Sequence, residues 1–176
     1  MLTLSHLGGS SVRITGGPKV VSVFPEKPNT SDINLLPSPE EDLKEGVVSW
    51  PGEYDYAGIT VRGIGQVEGQ QISYLVDVDG TRCAFPSVPL QEWKDEDIER
   101  LGDVHILVLP GENSKVSQKL LEDVDPRMLV LVPGANGKID PEVLKACGAQ
   151  GKEVVTEIKA KGSFSAEGRE VIVFGR

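Results

Sequence analysis

The chain has 176 residues, of which 27 are acidic and 18 basic, so its formal net charge is −9. This length favours one domain spanning residues 1–176, and no window approaches the roughly 18 consecutive apolar residues of a membrane span. The acidic balance, without any basic run, argues against nucleic acid as a partner. The N-terminal residues show no signal pattern and there are only two cysteines, so we predict a cytoplasmic protein with reduced thiols and no membrane association.

Short β-branched segments separated by Gly and Pro dominate the first half, which is typical of a sheet-rich fold. Asp79-Gly80 predicts a two-residue hairpin turn, since that turn requires positive φ. The predicted strands are, in chain order, Leu2–Leu7, Val12–Thr15, Lys19–Phe24, Ile33–Leu36, Val47–Trp50, Ile59–Gly65, Ile72–Val78 and Thr81–Phe85.

After residue 90 the pattern changes to alternating helices and strands. Three short helices are predicted, from Asp95 to Gly102, from Ser114, and from Asp140-Pro141 to Gly148. The runs Val104–Leu109 and Met128–Val132 are almost wholly apolar, which predicts strands buried on both faces. A final β segment is predicted over Val154–Ile158, Gly162–Ser165 and Val171–Phe174, with a turn at Glu167-Gly168.

The segment Trp50–Val61 (WPGEYDYAGITV) resembles a PGEYE-type motif of the metallo-β-lactamase superfamily. More narrowly, it resembles the small bacterial branch related to ascorbate-6-phosphate lactonases. Leu4–Ile14, Leu101–Pro110 and Asp125–Val130 resemble other segments of that branch in the same order. The resemblance implies an α/β (α+β) fold, an αββα four-layer sandwich of two mixed sheets flanked by helices.

The resemblance also implies metal-ligand positions, and this chain has lost most of them. Proteins of the superfamily hold catalytic divalent ions with His and Asp, and the bound ion activates a water molecule. The H-x-H-x-D-H motif falls on Ser38–Leu43, where only Asp42 is retained. The other expected ligands fall on Gly9 (histidine), Phe24 (aspartate), Ser87 or Val88 (aspartate) and Pro133 (histidine).

The whole chain contains two histidines, too few for the superfamily's ligand set. His6 lies beside an expected ligand position, and His105 lies in an apolar run that favours a hydrogen-bonded structural role. An all-carboxylate site for a hard cation is an alternative of lower weight. Its candidate ligands are Glu40, Glu41, Asp42, Glu53 and Asp55.

Other residues are assigned structural roles. Cys83 and Cys147 are predicted core residues, Ser10-Ser11 lacks a nucleophile-elbow motif, and Gly63-x-Gly65 is not a dinucleotide-binding motif. Gly8-Gly9 is predicted to shape a turn, with an anion-binding nest as the alternative. In the Trp50–Val61 motif, Glu53 is expected to bind loop amides and Tyr54 to pack. Trp50 and Trp93 are expected to be partly buried, or alternatively to anchor an interface.

We therefore predict no catalytic, cofactor-binding or metal-ligating residue and no cofactor. The predicted function is that of a pseudoenzyme with a binding or structural role, acting through a homo-oligomer, a protein partner or an unidentified small molecule. The alternative is a metal-dependent phosphodiester or lactone hydrolase with a rebuilt carboxylate site.

Overall fold

A computed structural model describes residues 1–27, 30–162, 164 and 168–175. In chain order its elements are β1 (Leu2–Gly8), β2 (Ser11–Thr15), β3 (Val21–Val23), β4 (Ile33–Leu35), β5 (Val47–Val48), β6 (Gly52–Tyr56), β7 (Ile59–Gln66), β8 (Gln71–Val78), β9 (Thr81–Phe85), α1 (Asp95–Leu101), β10 (Ile106–Pro110), α2 (Ser114–Val124), β11 (Met128–Val132), α3 (Pro141–Ala146), β12 (Val154–Val155), β13 (Glu157–Ala160) and β14 (Glu170–Phe174).

These strands form two mixed sheets. The first has six strands in the order β13-β1-β2-β3-β4-β5, antiparallel from β13 to β3 and parallel from β3 to β5. The second has eight strands in the order β12-β14-β11-β10-β9-β8-β7-β6. It is parallel from β12 to β9 and antiparallel from β9 to β6. The predicted α+β sandwich of two mixed sheets is confirmed.

The inner faces of the two sheets share one apolar core. Leu4 and Ile14 of the six-stranded sheet pack with Ile72 and Val130 of the eight-stranded sheet, and all four are essentially inaccessible to solvent. Tyr74 on β8 also joins the sheets, because its hydroxyl lies 2.6 Å from the carbonyl oxygen of Leu36 and 3.0 Å from that of Val48. Hydrophobic burial is the main stabilising contribution of this layer.

The described helices lie on one side of the sandwich. Leu101 of α1, Leu120 of α2 and Val143 of α3 form a second apolar cluster with residues such as Leu107 and Leu129 on the outer face of the eight-stranded sheet. In the part of the chain that the structure describes, no helix is long and apolar enough to cross a membrane.

The outer face of the six-stranded sheet is polar. Thr3, Arg13 and Thr15 are half-buried there, and Lys159 on β13 is exposed. No described helix covers this face, although residues 30–32 cover its β3–β4 part, where the hydroxyls of Ser22 and Ser31 lie 2.6 Å apart. A sheet with one solvent-exposed face is expected to alternate apolar and polar residues along its strands, as parts of β1 and β2 do.

Three differences from the predicted elements stand out. β6 was read as part of a turn, but it is the edge strand of the eight-stranded sheet. Val154–Ile158 was expected to be one strand, but it divides at Thr156 into β12 and β13, which belong to different sheets. Of the expected strand Gly162–Ser165, residues 163 and 165 lie outside the described residues, as does Glu167 of the expected turn.

Candidate functional site

A cleft of about 900 Å³ opens at the end of the sandwich beside the turn between β1 and β2. Its other walls are residues 24–27 after β3, the loop that follows β11, and Gly175 after β14. We call it the hairpin cleft. Segments from both sheets meet there, a common position for a ligand site.

The hairpin cleft brings together three positions where the resemblance implies metal ligands. Gly9, Phe24 and Pro133 all line it, although they are far apart in sequence. Glycine and proline offer no side-chain donor, and a phenyl ring is not a ligand for zinc or magnesium. The three positions therefore lie together at one cleft, and none of them carries a side chain that can hold a metal ion.

Phe24 occupies its position in a strained backbone conformation. Its φ of 52° lies in the left-handed region, which is uncommon for a bulky residue. The ring packs against Tyr74, with centroids 5.8 Å apart, and the Phe24 amide donates to the carbonyl of Leu35 at 2.8 Å. The side chain thus closes the core beneath the cleft.

The segment that aligns with H-x-H-x-D-H lies away from the hairpin cleft. Residues 38–43 contribute nothing to its lining, and the side chains of Glu40, Glu41 and Asp42 are exposed. The backbone of Glu40 is fixed by the Ser49 hydroxyl and by the Trp50 indole, which donates to its carbonyl at 2.9 Å. This segment is a short surface loop between β4 and β5.

Ser87, near another expected ligand position, belongs to a buried polar network. Its amide donates to the Ser73 hydroxyl at 3.0 Å, and the Ser73 hydroxyl in turn donates to the Gln66 side chain at 2.9 Å. Ser87 is 1% exposed and does not line the hairpin cleft. Its role here is to join β8 to the segment after β9.

His6 lines the hairpin cleft and is held from two directions. Its Nε2 lies 2.7 Å from the Gly9 carbonyl oxygen, which can only accept, so Nε2 carries a proton. The ring stacks on Phe174 of the opposite sheet, with centroids 5.7 Å apart. Nδ1 is buried and has no hydrogen-bond partner among the described residues, so His6 offers at most one free nitrogen.

His105 lies at the opposite end of the parallel strands. It precedes β10, whereas Pro133 of the cleft follows the parallel neighbour β11. Five residues of strand separate those ends, about 16 Å. Nδ1 of His105 accepts from the Arg82 amide at 3.0 Å, and its ring stacks on Phe164. The two histidines therefore cannot share an ion.

The acidic residues considered for a hard cation are also dispersed. Glu53 pairs with Arg62 across β6 and β7 at 2.7 Å, which corrects the expectation that it binds loop amides. Asp55 accepts from the Gly58 amide at 3.0 Å in the adjoining turn. Among residues 1–27, 30–162, 164 and 168–175, no three His, Cys, Asp or Glu side chains converge as a metal site requires.

Neither cysteine has the environment of a reactive thiol. Burial, with a smaller contribution from the Asp77 carboxylate, raises the pKa of Cys83 to about 12. Burial also raises the pKa of Cys147, and Arg169 partly offsets it. A thiol is nucleophilic only as the thiolate, and a raised pKa disfavours the thiolate. Both cysteines are buried, as expected of core residues.

Sequence reasoning missed the polar groups that line the cleft. Ser11, Arg13 and Lys27 contribute to the wall, with Glu26 as the acidic member. The Oγ of Ser11 and the Nε of Arg13 are buried, and neither has a partner among the described residues. The available signal was weak: Ser11 and Arg13 alternate with apolar Val12 and Ile14, which is equally typical of any half-solvated strand.

No protein-family model and no curated protein sequence matches this chain. Solved structures do resemble it. A Thermotoga maritima protein described as a zinc-dependent hydrolase of the metallo-β-lactamase superfamily superimposes with a TM-score of 0.81 at 16% identity, covering 99% of both chains. The chain has the metallo-β-lactamase fold. A Parabacteroides distasonis protein described as a metal-dependent hydrolase (TM-score 0.65, 15% identity) covers 98% of this chain and 92% of its own.

YhfI from Bacillus subtilis, also a metallo-β-lactamase fold protein, gives a TM-score of 0.65 at 8% identity and covers 98% of this chain and 96% of its own. Such low identities establish the fold and leave the chemistry to the residues. A catalytic zinc needs about three N, S or O donors and an open position. The hairpin cleft places one imidazole nitrogen and the Glu26 carboxylate on its wall, so the residues present do not fit that ion.

Proposed function

We propose that this protein is a non-catalytic homologue built on the metallo-β-lactamase fold, which binds a ligand in the hairpin cleft without a metal ion. The observation that supports the proposal is that Gly9, Phe24 and Pro133, three positions where the resemblance implies metal ligands, line one open cleft and carry no ligand side chain. A cleft of about 900 Å³ matches the size of small-molecule sites. Without about three donors, a zinc ion cannot be held in the geometry that activates water.

The test combines metal content with activity. The protein is purified without chelator and its metals are measured by elemental analysis. It is then assayed with phosphodiester, lactone and β-lactam substrates in the presence of added Zn²⁺, Mn²⁺ or Mg²⁺. We expect well below one metal ion per chain and no turnover above the buffer rate.

Near-stoichiometric zinc together with turnover would overturn the proposal and favour a metal-dependent hydrolase. The variant Asp42→Ala then locates the activity, because Asp42 is the retained residue of the aligned ligand motif. Glu122→Ala is the matched control, since it removes an exposed carboxylate from α2, away from both the motif and the cleft.

A further inference from the structure

The described wall of the hairpin cleft carries positive charge although the protein is strongly acidic. Among its described residues Arg13 and Lys27 outnumber Glu26, whereas the chain as a whole has a formal charge of −9. Local charge of the opposite sign to the rest of the surface attracts ligands of the complementary sign. The cleft is therefore suited to an anion.

Arg13 has neither a carboxylate nor a backbone carbonyl as partner among the described residues. Arg62, Arg100 and Arg169 each pair with a carboxylate, at 2.7, 3.3 and 2.8 Å, and Arg82 donates to the carbonyl of Leu101 at 2.7 Å. Arg13 is half-buried, and its Nε is buried without an acceptor among the described residues. A buried N–H without an acceptor costs free energy, and a bound anion would supply that acceptor.

Ser11 presents a second donor without a partner. The residue is 7% exposed, and its hydroxyl has no hydrogen bond with any described residue. Ser11 and Arg13 are two positions apart on β2, so their side chains leave the same face of the strand, with Cα atoms about 6.7 Å apart. A single bound oxyanion accepts from more than one neighbouring donor.

The turn next to these side chains adds backbone donors. Gly9 and Ser10 lie between β1 and β2, outside the ladder, so strand pairing does not use their N–H groups. Gly8 and Gly9 both have positive φ, and nothing lies within 4 Å of the place where a Cβ of Gly9 would be. Consecutive amides in such a turn can form a concave anion-binding surface.

We propose that the hairpin cleft binds a small molecule through an oxyanion group, a phosphate or a carboxylate, held by the Arg13 guanidinium, the Ser11 hydroxyl and the Gly9–Ser10 turn. This inference rests on the proposed function, because it names the ligand class of the same cleft. Lys27, exposed at the rim, adds long-range attraction and no fixed contact.

The experiment is calorimetric titration of the full chain with inorganic phosphate and, separately, with malonate, at constant ionic strength. We expect one saturable site for at least one of the two anions. Arg13→Gln should weaken binding at least about tenfold, because it removes a charge-assisted hydrogen bond, and Ser11→Ala should weaken it several-fold. Lys159→Gln removes the same charge from the same sheet face outside the cleft, and should leave the affinity unchanged.

The two anions distinguish the source of the oxyanion. Phosphate binding without malonate binding assigns a phosphate group, and the reverse result assigns a carboxylate. Either result supports the proposal if Arg13→Gln weakens that binding at least about tenfold. If Arg13→Gln fails to fold by circular dichroism, Arg13→Lys replaces it. That variant keeps the charge but loses the planar fork, so it should retain weakened binding.

The proposal is overturned if neither anion binds, or if Arg13→Gln and Lys159→Gln weaken binding equally, as non-specific attraction would. Metal content and hydrolysis are measured on the same sample. If the protein is metal-free and inactive but binds neither anion, this inference is overturned and the proposed function stands. If the protein holds stoichiometric metal and shows turnover, the proposed function is overturned. If anion binding is then lost on treatment with EDTA, this inference is overturned as well.

Discussion

The two sheets differ in the number of faces that they bury. In the eight-stranded sheet, β10 (ILVLP) and β11 (MLVLV) are buried at every position, because the other sheet covers one face and the helices cover the other. In the six-stranded sheet, residues 2–5 of β1 and 12–15 of β2 alternate between buried apolar residues and half-buried polar ones. A continuous apolar run therefore indicates a strand covered on both faces, whereas alternation of apolar and polar residues indicates a strand covered on one.

The largest expected effect comes from opening a cavity on the helix-covered face. Leu107→Ala removes a fully buried side chain between β10 and the helices, so we expect the free energy of unfolding to fall by about 2–5 kcal/mol. Thr3→Ala, on the polar face of the other sheet, should cost less than about 1 kcal/mol. Urea denaturation of both variants measures the difference. A comparable loss for Thr3→Ala would contradict the one-sided helical cover.

A middle-sized effect is expected where the sheets are joined. Tyr74→Phe removes the hydroxyl that bonds the Leu36 and Val48 carbonyls, and should lower the free energy of unfolding by about 1–2 kcal/mol. Tyr56→Phe is the control, since Tyr56 is half-buried on the edge strand β6. Equal effects in urea denaturation would show that the inter-sheet hydrogen bond contributes nothing.

The same variant has a pH signature. Burial raises the pKa of Tyr74 above its usual value, so the unfolded chain releases this proton at a lower pH than the folded chain. The unfolded state then binds fewer protons, and stability is lost as the pH rises above about 10. Tyr74→Phe should reduce that alkaline loss.

The smallest effect is expected at the outer edge of the eight-stranded sheet, where β6 is largely exposed. Glu53→Gln breaks the ion pair between Glu53 and Arg62, whose side chains are 67% and 37% exposed, respectively. We therefore expect the free energy of unfolding to fall by less than about 0.5 kcal/mol. Stability in low and high salt measures it, with Glu122→Gln as the control, since Glu122 is exposed and forms no ion pair with a described residue. A loss above about 1 kcal/mol would show that the edge is more tightly coupled than its exposure implies.

Much of the fold was predictable because its signals are local. β8 and β9 follow from their β-branched runs and from Asp79-Gly80, which turns with φ of 53° and 85°. β6 was not predicted because its hairpin turn is Ala57-Gly58. Alanine there adopts a φ of 54°, and Ala-Gly is not among the residue pairs that indicate such a turn. The division at Thr156 was missed because it depends on which sheet each half joins.

The candidate site was only partly predictable. Gly9, Phe24 and Pro133, three positions where the resemblance implies metal ligands, lie at one location in the fold. The resemblance could not reveal Arg13 and Ser11 as candidate ligand-binding residues. Their buried polar atoms have no partner among the described residues, which only the three-dimensional packing shows. The Ser38–Leu43 segment shows the converse, in that alignment to a ligand motif did not place it in the cleft.

The change of sheet at Thr156 has a consequence for the order in which the chain assembles during synthesis. Of the described strands β1 is made first, but one of its two edges pairs with β13, and the His6 amide donates to the Thr156 carbonyl at 2.8 Å. These contacts span almost the whole chain, and such long-range pairing forms slowly. Until residues 156–160 emerge, that edge of β1 is open to pairing with other chains. Strand β1, the earliest of the described strands to be made, is thus among the last to be completed.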